Sequence, residues 1–425
     1  MTTHYSVAIV GGGQAGLAVS YYLKQNGIDH ILFEKHKIGY SWRSQRWDSF
    51  CLVTPNWQCI LPGHPYSGDD PHGFMQRDEI VQYIESYVAA FNPPVKEGVA
   101  VHHLYQQGQG FGLETSIGHF TADQVVVATG GYHRPKIPAL SQRFAPEIVQ
   151  IHSSEYKNPE SLPDKGVLVI GTGQSGCQIA EDLHLAGKQV HLCVGGAPRS
   201  PRKYRGKDVV AWLDEMGYYD LSIDQHPDKH KVRTKTNHYV TGRGGGREID
   251  LRHFALEGMQ LYGHLKDIQG SRLTFQPNLK QNLDAADAVA ESIKRTIDGF
   301  IEKHHLEAPT EPPYQPVWEP QTEQAELDYQ SANIGTVIWC TGYTMNYEWI
   351  DIPVFDGKGY PGHERGVTVV RGLYFLGLPW LYTWGSGRFS GIDRDAAYLA
   401  DCIIAKQRVA QPDSSDGINQ VALGS

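Results

Sequence analysis

The chain has no CxxC pair and no cysteine–histidine spacing that would hold a metal, although it carries six cysteines, at 51, 59, 177, 193, 340 and 402. Thiols so placed read as reduced and mostly buried, and no metal site is expected from them. Long apolar runs are missing too. The stretch Val7–Val10 is too short for the core of a signal peptide and runs straight into glycines, and nothing approaches membrane-spanning length. These absences predict a cytoplasmic protein with no membrane partner. Positive charge is in deficit. There are 38 Lys and Arg against 47 Asp and Glu, a formal net charge of −9, so the chain as a whole has no electrostatic pull toward nucleic acid. It has no HExxH and no serine on a nucleophile motif, which leaves metalloprotease and hydrolase chemistry unsupported. Glycine is what it has in excess, 46 residues in 425. That length suits two domains, and that glycine content suits a backbone that approaches ligands closely.

The glycines are not scattered. Tyr5–Val10 reads as a buried strand, Gly11-Gly12-Gly13-Gln14-Ala15-Gly16 as a tight turn, and the apolar positions to Leu23 as a helix stopped by Asn26-Gly27. His30–Glu34 then reads as a second strand. The same order restarts at Val167–Ile170, with Gly171-Thr172-Gly173-Gln174-Ser175-Gly176, a helix through Leu183, Gly187 and the strand Gln189–Val194. A second echo follows each unit. Val125–Ala128 runs into Thr129-Gly130, and Val337–Cys340 runs into Thr341-Gly342. Two repeats in matching order predict two βαβ units.

A GxGxxG turn between strand and helix presents unpaired backbone N–H groups and a helix dipole to a pyrophosphate. Counting eighteen residues from Gly16 reaches Glu34, followed by Lys35; a carboxylate there accepts hydrogen bonds from ribose hydroxyls. The same count from Gly176 reaches Val194, which cannot, and a basic cluster of Arg199, Arg202, Lys203 and Arg205 follows. A missing acid beside arginines is what a 2′-phosphate requires. The first turn therefore fits FAD and the second NADPH. Arg199 and Arg202 are the leading phosphate contacts, and which arginine makes the contact stays open. Toward the C-terminus, Gly372–Gly377 reads as a strand ending in glycine, and Ser390-Gly391-Ile392-Asp393 opens a helix whose N-terminus suits negative charge on a reduced flavin.

With these motifs assembled, the chain resembles the flavin-containing monooxygenases, the class B flavoprotein monooxygenases, over nearly its whole length outside 205–330. Gly39-Tyr40-Ser41-Trp42-Arg43 is similar to the family's Gly-x-x-Trp segment beneath the flavin, and Leu52-Val53-Thr54-Pro55 to its plant auxin-pathway branch. The resemblance implies that Ser41, Trp42, Arg43 and Thr54 meet FAD, that Val101 meets its adenine, and that Ala128-Thr129-Gly130 and Thr341-Gly342 are linkers. It also points to Asn56 as the side chain that steers the oxygenating species. The identifying Phe-x-Gly-x-x-x-His-x-x-x-(aromatic) motif is matched only in its second half, by His152, Ser153 and Tyr156. Pro146 and Ile148 stand at its first two fixed positions, which implies a bacterial branch distinct from the well-known ones.

The expected fold is α/β, with two dinucleotide-binding, Rossmann-like domains and the NADPH domain inserted in the FAD domain. The boundaries are 1–155 for the first part of the FAD domain, 156–333 for the NADPH domain with an irregular insertion at 205–330, 334–412 for the second part, and a disordered tail at 413–425. By resemblance, NADPH would reduce FAD, and a flavin C4a-peroxide would pass one oxygen to a small nitrogen-, sulfur- or carbonyl-containing substrate. Trp380, Tyr382 and Trp384 are candidates for the pocket wall. Alternatives left open are an NADPH-dependent flavin reductase or oxidase without coupled oxygenation, a disulfide reductase, which lacks the cysteine pair it needs, and a non-catalytic flavin-binding protein. The expected partners are the substrate and O₂, and the 205–330 region could supply a homodimer surface.

Overall fold

The computed structural model describes residues 3–410, so the anticipated tail at 413–425 lies outside the described residues. The chain starts with β1 (Thr3–Val10), whose Val-Ala-Ile-Val end is buried on both faces, as a central parallel strand requires. After the first glycine turn comes α1 (Gln14–Gln25). Gly27 ends it in the left-handed region at φ +67°, where its N–H and that of Ile28 close back on Lys24 and Leu23. Then follow β2 (His30–Glu34), α2 (Arg77–Phe91) and β3 (Val95–Glu97), and the meander β4 (Val101–Gln107), β5 (Gly110–Thr115) and β6 (Gly118–Val127). Strand β1 lies parallel between β2 and β6, with Val10 level with Phe33 and Val127.

The chain now builds a second sheet from β7 (Val149–His152), β8 (Gly166–Ile170), α3 (Gln174–Leu185), β9 (Val190–Cys193), β10 (Gln260–Tyr262), α4 (Leu279–His304) and β11 (Ile334–Trp339). Its strand order is β7-β11-β8-β9-β10, all parallel. This corrects the expected boundaries. The sequence boundaries put strands 149–152 and 334–339 with the first unit, but their backbone hydrogen bonds belong to the second sheet, which therefore reaches past both 156 and 333. The 205–330 stretch is also less irregular than expected. It supplies β10, the 26-residue α4, and, with 265–269, 272–275 and 326–328, a three-stranded antiparallel sheet.

The chain returns to the first sheet with β12 (Leu373–Phe375), parallel to the second half of β6, and ends in α5 (Ile392–Ala410). Helix α5 packs on α1, and its Ile392, Ala396, Leu399 and Ile403 share one core with Leu17, Val19 and Leu23, all fully buried. Burying a Leu or Ile side chain stabilises by about 2 kcal/mol, so this seam holds the last element against the first glycine turn. No helix among the described residues is long and apolar enough to cross a membrane.

The two strand–turn–helix units are built on the same contacts. A Cβ added to Gly16 would sit 1.9 Å from the carbonyl oxygen of Gly11, and one at Gly176 would sit 1.9 Å from that of Gly171. Gly16→Ala is therefore expected to destabilise by about 3 kcal/mol or more. Gly98→Ala, at φ +72° with no atom within 4 Å of the new methyl, is expected to lose only about 1–2 kcal/mol. Urea denaturation of both variants checks this; equal losses would mean that crowding at the turn does not govern the fold.

Candidate active site between two glycine turns

At the first turn, Gly11 has φ +114°, and a Cβ there would lie 2.6 Å from the Ala128 carbonyl oxygen. Gly13 differs: an added Cβ would meet no atom within 4 Å. The turn is thus crowded where strand and helix meet and roomy at the helix N-terminus, the form that lets a pyrophosphate approach backbone N–H groups. Glu34, at the end of β2, accepts the Gly12 N–H at 2.6 Å and the His36 N–H at 2.7 Å. Its carboxylate is braced against the turn and retains lone pairs for hydroxyl donors. Ala15 is buried behind the turn, and Lys35 is exposed.

The C-terminal segment closes over this turn. The Gln14 amide donates to the Gly387 carbonyl at 2.9 Å and accepts the Trp42 indole N–H at 3.3 Å. Trp42 stacks on Phe389, with ring centroids 5.5 Å apart. Gly377, at φ +82°, brings its backbone so close to Ala15 that the two Cβ atoms would be 2.7 Å apart. Gly391 and Gly385 are in similar contact. Two buried hydroxyls in this area, those of Ser390 and Thr129, have no hydrogen-bond partner in the protein. Unpaired buried donors beside a glycine cradle fit a cofactor that supplies acceptors. Ser41 is exposed, Thr54 half-buried, and Val101 half-buried at the start of β4.

The second turn repeats the first. Gly171 has φ +104° and faces the Cys340 carbonyl oxygen, 2.7 Å from an added Cβ, while Gly173 meets only the Thr236 methyl, at 3.8 Å. Gln174 donates to the Val240 carbonyl at 2.5 Å, which holds the 236–240 segment over the turn, and Ser175 is half-buried beside it. The linkers lie between the two turns. Gly130 accepts from the Tyr347 hydroxyl at 2.9 Å, Gly342 receives the Lys136 N–H at 2.9 Å, and the Thr341 hydroxyl donates to the Lys136 carbonyl. His152 is fully buried, with Nε2 3.0 Å from the Gly342 carbonyl and Nδ1 2.9 Å from the Ser154 hydroxyl. Burial lowers its pKa, so it pins the linker as a neutral ring. Tyr156 donates to Asp182 at 2.6 Å in the core. His152 thus holds the second linker, and Tyr156 braces α3.

Four expectations need correction. Arg199 and Arg202 do not offer a phosphate site, because both are buried and already matched. Arg199 lies 3.1–3.6 Å from Glu248, Asp250 and Asp287 under the Tyr314 ring. These contacts are ionic, not aligned hydrogen bonds; burial opposes its charge, but the carboxylates win and hold its pKa up. Arg202 donates to Asp208 at 2.6 Å and to the Val53 carbonyl at 2.7 Å. Arg43 turns from the first turn to Glu85 and the Ile38 carbonyl, at 2.7 and 2.9 Å. Asn56 is buried with both ends of its amide engaged, accepting from the Met75 N–H at 2.7 Å and donating to the Asp70 carbonyl at 2.9 Å. Its buried amide is engaged by the 70–75 loop, which it fastens. Asp393 accepts from the Tyr22 hydroxyl. The carboxyl facing inward in the same helical turn is Asp395, 1% exposed. Sequence reasoning passed over it because acidic residues in a first turn look alike until the helix is placed.

A family profile described as "Pyridine nucleotide-disulphide oxidoreductase" matches residues 8–253. An uncharacterized CzcO-like oxidoreductase of Geobacillus kaustophilus is 33% identical over 94% of this chain and 98% of its own length. The probable indole-3-pyruvate monooxygenase YUCCA10 of Arabidopsis thaliana is 29% identical over 70% of this chain and 84% of its own. Among solved structures, a flavin-containing monooxygenase from Stenotrophomonas maltophilia superposes with a TM-score of 0.63 at 18% identity, covering 96% of this chain and all of that one. The chain belongs to the pyridine nucleotide-disulphide oxidoreductase family.

Asp395 yields a pH prediction. Burial raises its pKa from 3.8 to about 6, against smaller opposing effects from Ser386 and Arg365, and neither carboxyl oxygen has a partner in hydrogen-bond geometry. The folded state favours the proton. Its contribution to stability is full below about pH 4 and is lost as pH rises through about 6. Relative to Asp395→Asn, the unfolding free energy of the unmodified protein should fall by about 2–3 kcal/mol between pH 4 and 7. A pH-independent difference in urea stability would remove this assignment. In the same assay, Asn56→Ala should lose about 2–3 kcal/mol through two buried hydrogen bonds; a fully stable variant would return Asn56 to the candidates for chemistry.

Proposed function

We propose that the protein is an FAD- and NADPH-dependent monooxygenase made of two dinucleotide-binding domains, the NADPH domain inserted in the FAD domain. Its substrate would be a small nitrogen-, sulfur- or carbonyl-containing molecule. The observation that carries this reading is the duplicated glycine turn, each copy at the carboxyl ends of parallel strands, where such sheets bind ligands. The Gly11–Gly16 backbone and the N-terminus of α1 would hold the FAD pyrophosphate, and Glu34 its ribose. Gly171–Gly176 and α3 would hold the pyrophosphate of NADPH, with Val194 in place of an acid that would repel a 2′-phosphate. Bound flavin supplies hydride acceptance from the nicotinamide and activation of O₂. The protein's part is to align the two cofactors and keep water out.

Water exclusion has a structural basis. The 218–240 segment lies over the loop that precedes α5. The Ile223 N–H donates to the Tyr382 carbonyl at 2.7 Å, Arg233 donates to the Trp380 carbonyl at 3.1 Å, and Tyr219 packs on Trp384 with centroids 4.6 Å apart. Trp380 is buried under this cover, while Trp384 is half-exposed and available as a pocket wall. The competing disulfide reductase reading is weakened by the thiols. Burial pushes Cys51 to about 11 and Cys59 and Cys340 to about 12, and raises Cys177 and Cys193 further. Such groups are poor nucleophiles. Free, buried thiols also favour a reducing, cytoplasmic setting.

Anaerobic addition of NADPH should bleach the visible absorbance of the bound flavin. In air, the right amine, thioether or ketone should lower the H₂O₂ released per NADPH consumed. Absence of bleaching would sink the proposal. Bleaching with stoichiometric H₂O₂ across all three compound classes would make the protein an oxidase instead.

A further inference from the structure

The two glycine turns differ at their second residue. In the first turn, a Cβ added to Gly12 would lie 2.9 Å from the Glu34 side chain. The Glu34 carboxylate fills that room and takes the Gly12 N–H. In the second turn, the matching residue is Thr172, and Val194 stands in place of the acid. The Thr172 hydroxyl reaches to the residue after Val194, accepting the Gly195 N–H at 2.9 Å. A hydroxyl thus replaces a carboxylate beyond the end of the unit's second strand, where the adenosine ribose of a dinucleotide lies. Further along, Arg199 and Arg202 are spent on carboxylates.

Another side chain comes to this place from far along the chain. A Cβ added to Gly195 would lie 3.4 Å from His264 Nε2 and 3.5 Å from Thr172 Oγ1, and one on Gly196 would meet no atom within 4 Å. His264 follows β10, the strand paired with β9. It is exposed, yet it is fastened. Gly263 before it packs on Gln276 so closely that an added Cβ would be 2.0 Å from that carbonyl oxygen. The His264 N–H donates to the Asn278 side-chain oxygen at 3.0 Å, and its carbonyl accepts the Gln276 N–H at 2.8 Å. The amide nitrogen of Asn278 then faces the ring, 2.8 Å from Nδ1. With the Asn278 oxygen committed to a backbone N–H, that nitrogen donates and Nδ1 accepts, which puts the ring hydrogen on Nε2. The remaining donor of the ring therefore adjoins Gly195 and the open space at Gly196. Ordering an exposed side chain costs conformational entropy with no core burial in return, and a ligand at Gly195 would make use of that order.

We propose that His264 is the specificity-determining residue of the second dinucleotide site. Its Nε2–H meets the 2′ substituent of the adenosine ribose, and the site takes NADH as well as NADPH. An N–H donor serves a hydroxyl oxygen or a phosphate oxygen alike. Val194 does not repel a 2′-phosphate, and neither Arg199 nor Arg202 is free to demand one, so little separates the two coenzymes. The inference rests on the proposed assignment of the second turn to a nicotinamide dinucleotide, and binding is measured apart from turnover. Oxidised holoprotein is titrated with NADP⁺ and NAD⁺, and with 2′,5′-ADP and 5′-AMP, which carry the adenosine end alone, following the heat of binding. NADP⁺ and NAD⁺ should bind within about tenfold of each other. His264→Ala should weaken both by about threefold or more through one lost hydrogen bond. His264→Arg should tighten NADP⁺ and 2′,5′-ADP by about tenfold or more, leaving NAD⁺ and 5′-AMP within about threefold. A wider preference for either coenzyme in the unmodified protein would overturn the proposal. So would unchanged binding in His264→Ala, no gain for NADP⁺ in His264→Arg, or no binding of either dinucleotide. If His264→Arg loses its flavin, the other two comparisons still decide. Binding as expected without bleaching of the flavin by NADPH or NADH would count against the monooxygenase reading and leave the His264 assignment standing.

Discussion

The structure depends on one backbone contact made twice. In each half, the first glycine of a strand–helix turn lies against the carbonyl that ends the neighbouring parallel strand, Gly11 on Ala128 and Gly171 on Cys340. The third glycine then packs its Cα on the carbonyl of the first. No side chain fits in either position, so the helix enters close to the strand and its N-terminal N–H groups face outward. The Thr-Gly linkers begin where those neighbouring strands end, so the same contact also places the crossings between the two sheets. Displacing it would move the cradle, the helix and the linker together.

Around that frame, charge is distributed by a simple rule. Arginines sealed in the second half are answered by acids from α4, the 248–250 segment and Asp208, and so serve the packing of that half. Removing one partner from such a set leaves a buried charge uncompensated, which destabilises by about 3–5 kcal/mol. A basic cluster in a linear sequence cannot be divided this way, because whether a guanidinium is free depends on carboxylates 50–90 residues along the chain, as Arg199 with Glu248 and Asp287 shows.

Several residues that resemble family landmarks serve the framework. Asn56 fastens a loop, His152 holds the second linker as a neutral ring, and Tyr156 is tied to Asp182. Each satisfies buried polar groups that would otherwise be unpaired. A motif can therefore persist for structural reasons, and a role in chemistry has to be argued from what the side chain has left to offer. The Asn56 amide is engaged at both ends by its own loop, whereas the hydroxyls of Thr129 and Ser390 have no partner in the protein.

The sequence by itself determined the local pattern. The glycine spacing, the buried strand runs and the repeat order placed β1, α1, β2, β8 and α3 to within a residue or two, since each follows from short-range backbone geometry and periodicity. The eighteen-residue counts to Glu34 and Val194 were legible for the same reason. Only the tertiary structure decided which sheet strands 149–152 and 334–339 join, because parallel pairing is a long-range choice among similar apolar runs. It also decided that Arg199, Arg202 and Arg43 are spent, and that Asp395 and not Asp393 is buried. Those outcomes depend on which side chains meet, and chain order does not encode that. The two glycine turns remain the firm ground, with their unequal neighbours now read from three dimensions.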